Sequence, residues 1–228
     1  EGFRFALKFP RLISHELELV DAEAATSTFL RSLEPLREAG RLGPTFLQLG
    51  PNFGPNRFKL LRTYLRRLPH DHHWAIELRH LGWYDSERNE HRLNDLLVEL
   101  QIDKVLFDSR PLFETPPEDD SEADAQRRKP KTPVRQTITG KHPMLRIVGR
   151  NRVELVDHFF DQWAPIVARW IGQGLQPYIF THAPDDAHAP VLARRFASRL
   201  QQELPEEDVC IPWPPKAARQ LSLLGDPE

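Results

Sequence analysis

The chain has 228 residues, of which 39% are hydrophobic and 28% are charged, a composition typical of one soluble globular domain. Its 31 basic and 33 acidic side chains leave a formal net charge of −2, which argues against nucleic-acid binding through overall charge but not through a local basic groove. Cys210 has no second cysteine to pair with, which excludes an internal disulfide framework. No apolar run approaches the ~18 residues of a membrane span, and no signal-peptide pattern opens the chain. These features predict a cytoplasmic protein with no membrane partner.

Strand-like segments alternate with helical patterns along residues 1–204. Apolar residues spaced three and four apart follow most of the strands and place one apolar face on each helix. This alternation predicts parallel strands joined by helical crossovers, and therefore an α/β fold. The predicted strands are Phe3–Phe9, Thr45–Leu49, Trp74–Arg79, Lys104–Ser109, Met144–Gly149 and Gln176–His182.

The two faces of the predicted strands differ in polarity. One face is apolar, and the other carries a polar residue near the carboxyl end of the strand. This pattern favours a barrel, in which outward residues pack under helices and inward residues become polar near the functional end. Six units are two fewer than such a barrel contains, so we expect a TIM-like (β/α)8 barrel that lacks its first two βα units. The residues predicted to face outward are Phe5, Leu7, Phe9, Leu47, Leu49, Ile76, Leu78, Val105, Phe107, Leu145 and Ile147.

Two segments do not follow the strand–helix alternation. Residues 113–143 carry an acidic stretch and then a basic one, and they follow a strand, so we expect a loop insertion on the face where barrel enzymes hold their active sites. Its basic string, Gln126–Lys131, is either a contact for a nucleic-acid backbone or a solvated loop neutralised by its acidic neighbours. Residues 205–228 form a Pro-rich tail with little periodicity.

Several strings resemble those of the YecE-like family (domain of unknown function 72). The resemblance covers nearly the whole chain in order, and it implies a TIM-barrel fold from which the family's opening βα units are absent. It implies no activity. The strings are Phe5-Ala6-Leu7-Lys8-Phe9-Pro10-Arg11, Ile76-Glu77-Leu78-Arg79-His80, Leu106-Phe107-Asp108-Ser109-Arg110-Pro111 and Arg146-Ile147-Val148-Gly149, with Asp124–Lys131 similar to the enterobacterial branch of the family.

Charged residues gather at the predicted carboxyl ends of the strands. Buried charges persist only when they are paired or used, so these residues form either a self-satisfied ion-pair network or a functional site. Their position favours the site. The cations suit an anionic ligand, a phosphate most naturally, because Arg can bind it through two hydrogen bonds. The residues predicted to bind the substrate are Lys8, Gln48, Arg79, Arg110, Arg146 and His182.

Two carboxylates are the candidate catalytic groups. Glu77 and Asp108 are expected to act as general base and general acid, with the assignment between them left open. His15 and His80 lie just past strand ends and are candidates either for proton transfer or for stabilising a loop. A divalent metal held by Glu77, Asp108 and a histidine is chemically feasible, but the neighbouring cations would repel it. We therefore predict no metal site and no particular cofactor.

The tail contains a further motif, Gln220-Leu221-Ser222-Leu223-Leu224, which looks like the pentapeptide that docks on bacterial sliding clamps. In such a motif Leu221, Leu223 and Leu224 are the apolar anchors, and the Gln220 amide contacts the polar rim of the pocket. The residues at the strand ends favour an enzyme that uses acid–base chemistry on a phosphate-bearing substrate. The tail motif and the basic string favour nucleic acid as that substrate, with the clamp as the candidate partner. The alternatives are a metabolic enzyme for a small sugar-phosphate-like anion and a non-catalytic binding module recruited through its tail.

Overall fold

Six parallel strands form one sheet in the computed structural model, which describes residues 2–209. The strand order in the sheet is the order in the chain, as expected when each strand is joined to the next by a crossover connection. The strands are β1 (Phe5–Lys8), β2 (Leu42–Leu49), β3 (Trp74–Leu78), β4 (Asp103–Asp108), β5 (Met144–Val148) and β6 (Tyr178–His182).

Helices cover the outer face of this sheet. Amphipathic helices follow β1, β2, β3, β5 and β6, so the predicted α/β alternation is confirmed, while two helices of four and nine residues follow β4. The helices are α1 (Glu23–Glu38), α2 (Phe58–Leu65), α3 (Glu87–Glu99), α4 (Arg110–Phe113), α5 (Asp120–Arg128), α6 (Asp157–Gly172) and α7 (Ala189–Glu203), with single helical turns at Leu12–Glu16, Pro55–Arg57, Leu81–Trp83, Val153–Val156 and Asp186–His188. No helix within residues 2–209 is both long and apolar enough to cross a membrane.

The sheet curls into a half-barrel. A Cβ atom added to Gly43, in β2, would lie 3.2 Å from the Tyr178 ring in β6. In a flat sheet these strands would be ~19 Å apart, since neighbouring strands are separated by ~4.8 Å. The curl therefore brings the inward side chains of all six strands into one cluster. Its members are Ala6, Phe46, Ala75, Val105, Met144 and Phe180.

Two larger apolar cores lie between the sheet and its helices. The first joins β1–β3 to α1, α2 and α3, and the second joins β4–β6 to α6 and α7. The residues predicted to face outward from β2, β3 and β5 belong to these cores. Phe5 is an exception, because it lies on the edge strand β1 and stays 45% exposed.

The predicted facing of the β4 side chains is shifted by one residue from the observed facing. Val105 packs in the inner cluster and Leu106 in the outer core, so Val105 faces inward. Because successive side chains of a strand point to opposite faces, every assignment on β4 is reversed. The apolar run Val105-Leu106-Phe107 is buried on both faces of the sheet, and its alternation therefore did not distinguish them.

Candidate anion-binding site

The centre of the candidate site is Glu77, the inward-facing residue near the carboxyl end of β3. Its side chain is 1% exposed. Arg79 Nε donates a hydrogen bond to Glu77 Oε1 at 2.7 Å, and Arg146, from β5, donates to Oε2. Burial alone would raise the pKa of Glu77, but the charges of Arg146 and Arg79 hold this pKa below its usual value. Glu77 is thus an ionised carboxylate with both oxygen atoms occupied.

Two phenylalanine rings form the floor under the arginines. The Arg146 guanidinium lies 5.2 Å from the Phe46 ring centre and 5.9 Å from the Phe107 ring centre, and Arg79 lies 5.5 Å from Phe107. These distances are within the range of cation–π attraction. The rings come from β2 and β4, so the curl of the sheet is what places them beneath groups from β3 and β5.

Two lysines add to the positive charge. Lys8 ends β1 and is paired in register with Phe46. Its pKa is lowered by burial and by the charge of Arg79. Lys129 follows α5, and its pKa is lowered by burial and by the charges of Arg79 and Arg146. We call the four cations Lys8, Arg79, Lys129 and Arg146, grouped around Glu77, the cationic mouth.

Lys129 was not among the predicted site residues, because it lies in the segment predicted to be a loop insertion. The structure shows helix α5 in that segment, beginning after Asp119, whose carboxylate accepts a hydrogen bond from the Glu122 backbone N–H. Ser109 Oγ, at the end of β4, donates to the Pro130 carbonyl at 2.8 Å. This contact holds the end of α5 against the sheet and thereby places Lys129 at the mouth.

Two histidines flank the cationic mouth. His15 Nδ1 lies 2.7 Å from Ser14 Oγ, and burial and the charge of Lys8 lower the pKa of His15. His182, at the end of β6, has its Nδ1 3.2 Å from Asp186 Oδ1, and burial and the charge of Lys129 lower its pKa. Both imidazoles are therefore neutral at pH 7 and able to accept a proton.

Two other predicted site residues have different surroundings. His80 Nδ1 accepts a hydrogen bond from the Gly82 backbone N–H at 2.9 Å, and a Cβ atom on Gly54 would lie 3.0 Å from His80 Nε2, so His80 is packed into its loop. Gln48 is 3% exposed and paired in register with Glu77. Its amide has no hydrogen-bond partner among the residues that the structure describes, which leaves it available to a ligand.

The prediction that Asp108 faces the inside of the barrel is wrong, and Arg110, predicted to bind the substrate, is bonded to Asp108 instead. Asp108 lies on the helix side of β4, where Trp163 Nε1 donates to its Oδ2 at 2.8 Å. Arg110 donates to both oxygen atoms of Asp108 and also to Gln162 Oε1 at 3.1 Å. The cause is the one-residue reversal of β4. Glu77 and Asp108 therefore lie on opposite faces of the sheet and form neither an acid–base pair nor a shared metal site.

Within residues 2–209, no group of three or more His, Cys, Asp or Glu side chains is arranged to hold a metal ion. In the basic string, Arg127 and Arg128 both pair with Asp124 on α5. Lys131 lies over the Phe113 ring, 4.4 Å from its centre. The predicted clamp-binding residues Gln220, Leu221, Leu223 and Leu224 lie outside the part of the chain that the structure describes.

The fold and the site together define an α/β half-barrel protein with a cationic mouth at the carboxyl ends of its strands. Residues 1–217 match the family model described as "Protein of unknown function DUF72". The chain belongs to this family. It is 35% identical over 206 residues to the UPF0759 protein YecE of Escherichia coli K12, and to that of strain O157:H7, covering 90% of this chain and 75% of each relative.

Solved structures of the same family share the fold. A DUF72 family protein from Thermotoga maritima has a TM-score of 0.58 at 21% identity, over 90% of this chain and 74% of that chain. One from Enterococcus faecalis has a TM-score of 0.59 at 21% identity, over 90% of this chain and 80% of that chain. At this level of identity the likeness concerns the fold alone.

Proposed function

We propose that this protein is an enzyme that binds a small phosphate-bearing substrate at the cationic mouth. The observation that carries the proposal is the grouping of four cations around buried Glu77, whose carboxylate bonds to two of them, Arg79 and Arg146, above two phenylalanine rings. Guanidinium groups bind phosphate oxygens through paired, charge-assisted hydrogen bonds. The half-barrel would correspond to six of the eight units of a TIM-like (β/α)8 barrel, in which carboxyl ends of strands carry the active site.

The roles of the carboxylate and the histidines follow from their contacts. Glu77 is occupied by two arginines, so its role in the proposal is to orient their guanidinium groups. His182 is the candidate general base, because it is neutral at pH 7 and its Nδ1 contacts Asp186, which leaves Nε2 to accept a proton. His15 is the candidate second proton-transfer group on the other side of the mouth. Gln48 would orient the bound substrate.

The ion pairs within the basic string favour a small substrate over nucleic acid. A backbone-binding groove needs several uncompensated cations along the path of the phosphates. Arg127 and Arg128 instead share the single carboxylate of Asp124 within the same helix, which offsets part of their charge. Of this string, Lys129 faces the mouth, where it joins a compact set of charges that matches a small anion better than a polymer.

Phosphate binding is tested by thermal unfolding of the full chain with inorganic phosphate at constant ionic strength. We expect phosphate to raise the unfolding midpoint, because a ligand that binds the folded state stabilises it. Replacement of Lys8 by Gln should reduce this rise, whereas replacement of the exposed Lys59 by Gln on α2 should leave it unchanged. A midpoint that phosphate does not raise would refute the proposed site.

The catalytic role of His182 is tested by turnover of a panel of phosphate monoesters and diphosphates. For any substrate that is turned over, His182→Gln should lower the rate by about 100-fold or more, the usual contribution of a general base. Phosphate binding should be retained, and the surface variant His91→Gln should behave as the wild type. Phosphate binding without turnover of any panel member would leave the non-catalytic binding module as the better account.

A further inference from the structure

We propose that the cationic mouth takes two adjacent phosphate groups, as in a diphosphate ester, rather than a single phosphate. This inference rests on the proposed function, since it names the class of ligand for the same site. Two observations support it: the excess of positive charge at the mouth and the position of Lys129.

The mouth holds more positive charge than one phosphate group neutralises. Arg79 and Arg146 share the charge of Glu77. Within residues 2–209, neither Lys8 nor Lys129 has a carboxylate partner. The four cations thus exceed the carboxylate by a formal three charges. A phosphate monoester carries about −1.5 to −2 at pH 7, and a second ionised phosphoryl group brings the ligand closer to this excess.

Acidic residues at the rim do not remove the excess. Asp186 contacts His182, and its side chain is 85% exposed, so water screens its charge. Glu18 is ion-paired with Arg57. A purely structural network would be expected to balance its charges, because each uncompensated ion carries a desolvation cost. The imbalance therefore points to an anion supplied from outside the chain.

The two lysines come from different elements, and one subsite is assigned to each. Lys8 comes from β1, the edge strand, and burial and the charge of Arg79 lower its pKa. Lys129 comes from the segment anchored next to β4 by the bond between Ser109 and Pro130. Burial and the charges of Arg79 and Arg146 lower its pKa, and its own charge lowers the pKa of His182. One phosphate group would lie on the Lys8 side and the other on the Lys129 side.

The Lys129 side is a built feature and not a loosely placed loop. Arg150, 1% exposed, forms a buried ion pair with Glu122 of α5, and its Nη2 donates to the Pro116 carbonyl at 2.9 Å. The Asn151 backbone N–H donates to the same carboxylate at 3.1 Å. We call the Glu122–Arg150 pair the clasp. It fixes α5 against the residues after β5, and α5 in turn fixes Lys129.

The experiment is calorimetric titration of the full chain with inorganic pyrophosphate and with orthophosphate, in metal-free buffer at matched ionic strength. We expect pyrophosphate to bind at least about tenfold more tightly than orthophosphate, the gain expected from one further charge-assisted contact. Lys129→Gln should weaken pyrophosphate binding about tenfold and change orthophosphate binding less than about twofold. Lys131→Gln, two residues further on and stacked on Phe113, is the matched control and should change neither affinity.

Each result has a distinct meaning for the two proposals. Equal affinities for the two probes in the wild type would overturn the two-phosphate inference and leave the phosphate site standing. Binding of neither probe would overturn both. Equal losses of pyrophosphate affinity in Lys129→Gln and Lys131→Gln would show a general charge effect and would also overturn the inference. The circular dichroism spectrum of Lys129→Gln must match that of the wild type, which is expected because the Lys129 side chain makes no hydrogen bond among residues 2–209.

Discussion

At the scale of single residues, Glu77 decides the geometry of the mouth. Its two oxygen atoms accept hydrogen bonds from Arg79 and Arg146, and nearly all of the side chain is buried. Removing one partner of a buried ion pair leaves the other charges uncompensated, which costs more than the pair itself contributes. Glu77 is therefore a structural requirement for bringing two guanidinium groups together.

Glu77→Gln should lower the free energy of unfolding by about 3 kcal/mol, because the two arginines lose their shared counter-charge. Inorganic phosphate should then stabilise the variant more than it stabilises the wild type, since the anion can replace the missing charge. Chemical denaturation with and without phosphate measures both effects. Glu99→Gln, which removes an exposed partner of Arg66, should change stability by less than about 1 kcal/mol. A phosphate effect unchanged by Glu77→Gln would contradict this account.

Asp103 is a further buried carboxylate, at the opposite end of the sheet from the mouth. It is 2% exposed and accepts a hydrogen bond from the His142 backbone N–H at 3.0 Å. Burial raises the pKa of Asp103 to about 7. Because the folded pKa lies above the ordinary value of 3.8, the folded state binds the proton more tightly than the unfolded state, and stability contributed by Asp103 is lost as the pH rises from about 4 to 7.

Asp103→Asn should abolish this part of the pH dependence. Between pH 5 and pH 8 the wild type should lose on the order of 2 kcal/mol more stability than the variant, whose side chain is neutral throughout. Urea denaturation at the two pH values measures the difference. Burial also lowers the pKa of His142 from 6.5 to about 4. His142 therefore makes stability rise with pH between about 4 and 6.5, which is opposite to the effect of Asp103. Parallel pH profiles for the two proteins would show that Asp103 is ionised normally.

At the scale of elements, the clasp holds α5, within the charged segment 113–143, in a fixed position against the rest of the fold. The acidic and basic residues of 113–143 do not simply neutralise one another in solvent. Glu122 is fully buried against Arg150, and further hydrogen bonds come from the backbone N–H groups of Glu118 and Asn151. A helix of nine residues, Asp120–Arg128, is too short to be stable alone in water. Its tertiary contacts are therefore what hold it in place.

Glu122→Gln should lower stability by about 3 kcal/mol, because Arg150 is left buried without its counter-charge. It should also make residues 113–130 sensitive to limited proteolysis and weaken pyrophosphate binding to the level of Lys129→Gln. Asp124→Asn removes the exposed partner of Arg127 and Arg128 and should cost less than about 1 kcal/mol. Equal protease resistance of Glu122→Gln and the wild type would show that α5 is held by other contacts.

At the scale of the whole molecule, the curl of the sheet is what makes a site out of separate strands. Arg146 of β5 reaches Glu77 of β3 and lies over Phe46 of β2, and the curl of the sheet shortens both distances. Large parallel sheets always twist, but the near contact between Gly43 and Tyr178 requires a further closure toward a barrel.

Gly43→Val tests the curl. The new side chain would meet the Tyr178 ring and the Phe5 carbonyl, each 3.2 Å from the first added carbon, and should destabilise the fold by about 1–3 kcal/mol through overpacking. In a Tyr178→Ala background Gly43→Val should destabilise the fold less, because the new side chain then meets only the Phe5 carbonyl. The coupling energy from this double-mutant cycle, measured by denaturation, should be at least about 0.5 kcal/mol. Additive effects would indicate that β2 and β6 do not face one another.

The sequence by itself determined the order of strands and helices and the inward position of Glu77 and Arg146. Apolar residues at helical spacing predicted α1, α2, α3, α6 and α7, because such faces must be buried against a sheet. The sequence neighbours of Glu77 on β3 and of Arg146 on β5 belong to the outer cores. Because successive side chains of a strand point to opposite faces, alternation alone predicted that Glu77 and Arg146 face inward. These are local signals, set by the chemistry of neighbouring residues along one element.

Only the tertiary structure decided the face of β4 and the place of Lys129. The run Val105-Leu106-Phe107 is apolar on both sides, so local periodicity carried no information on which side Asp108 would take. Lys129 reaches the mouth through an ion pair between Glu122 and Arg150, which are 28 residues apart in the chain. Such pairings depend on the whole path of the chain between the two residues, and no pattern within either segment records them.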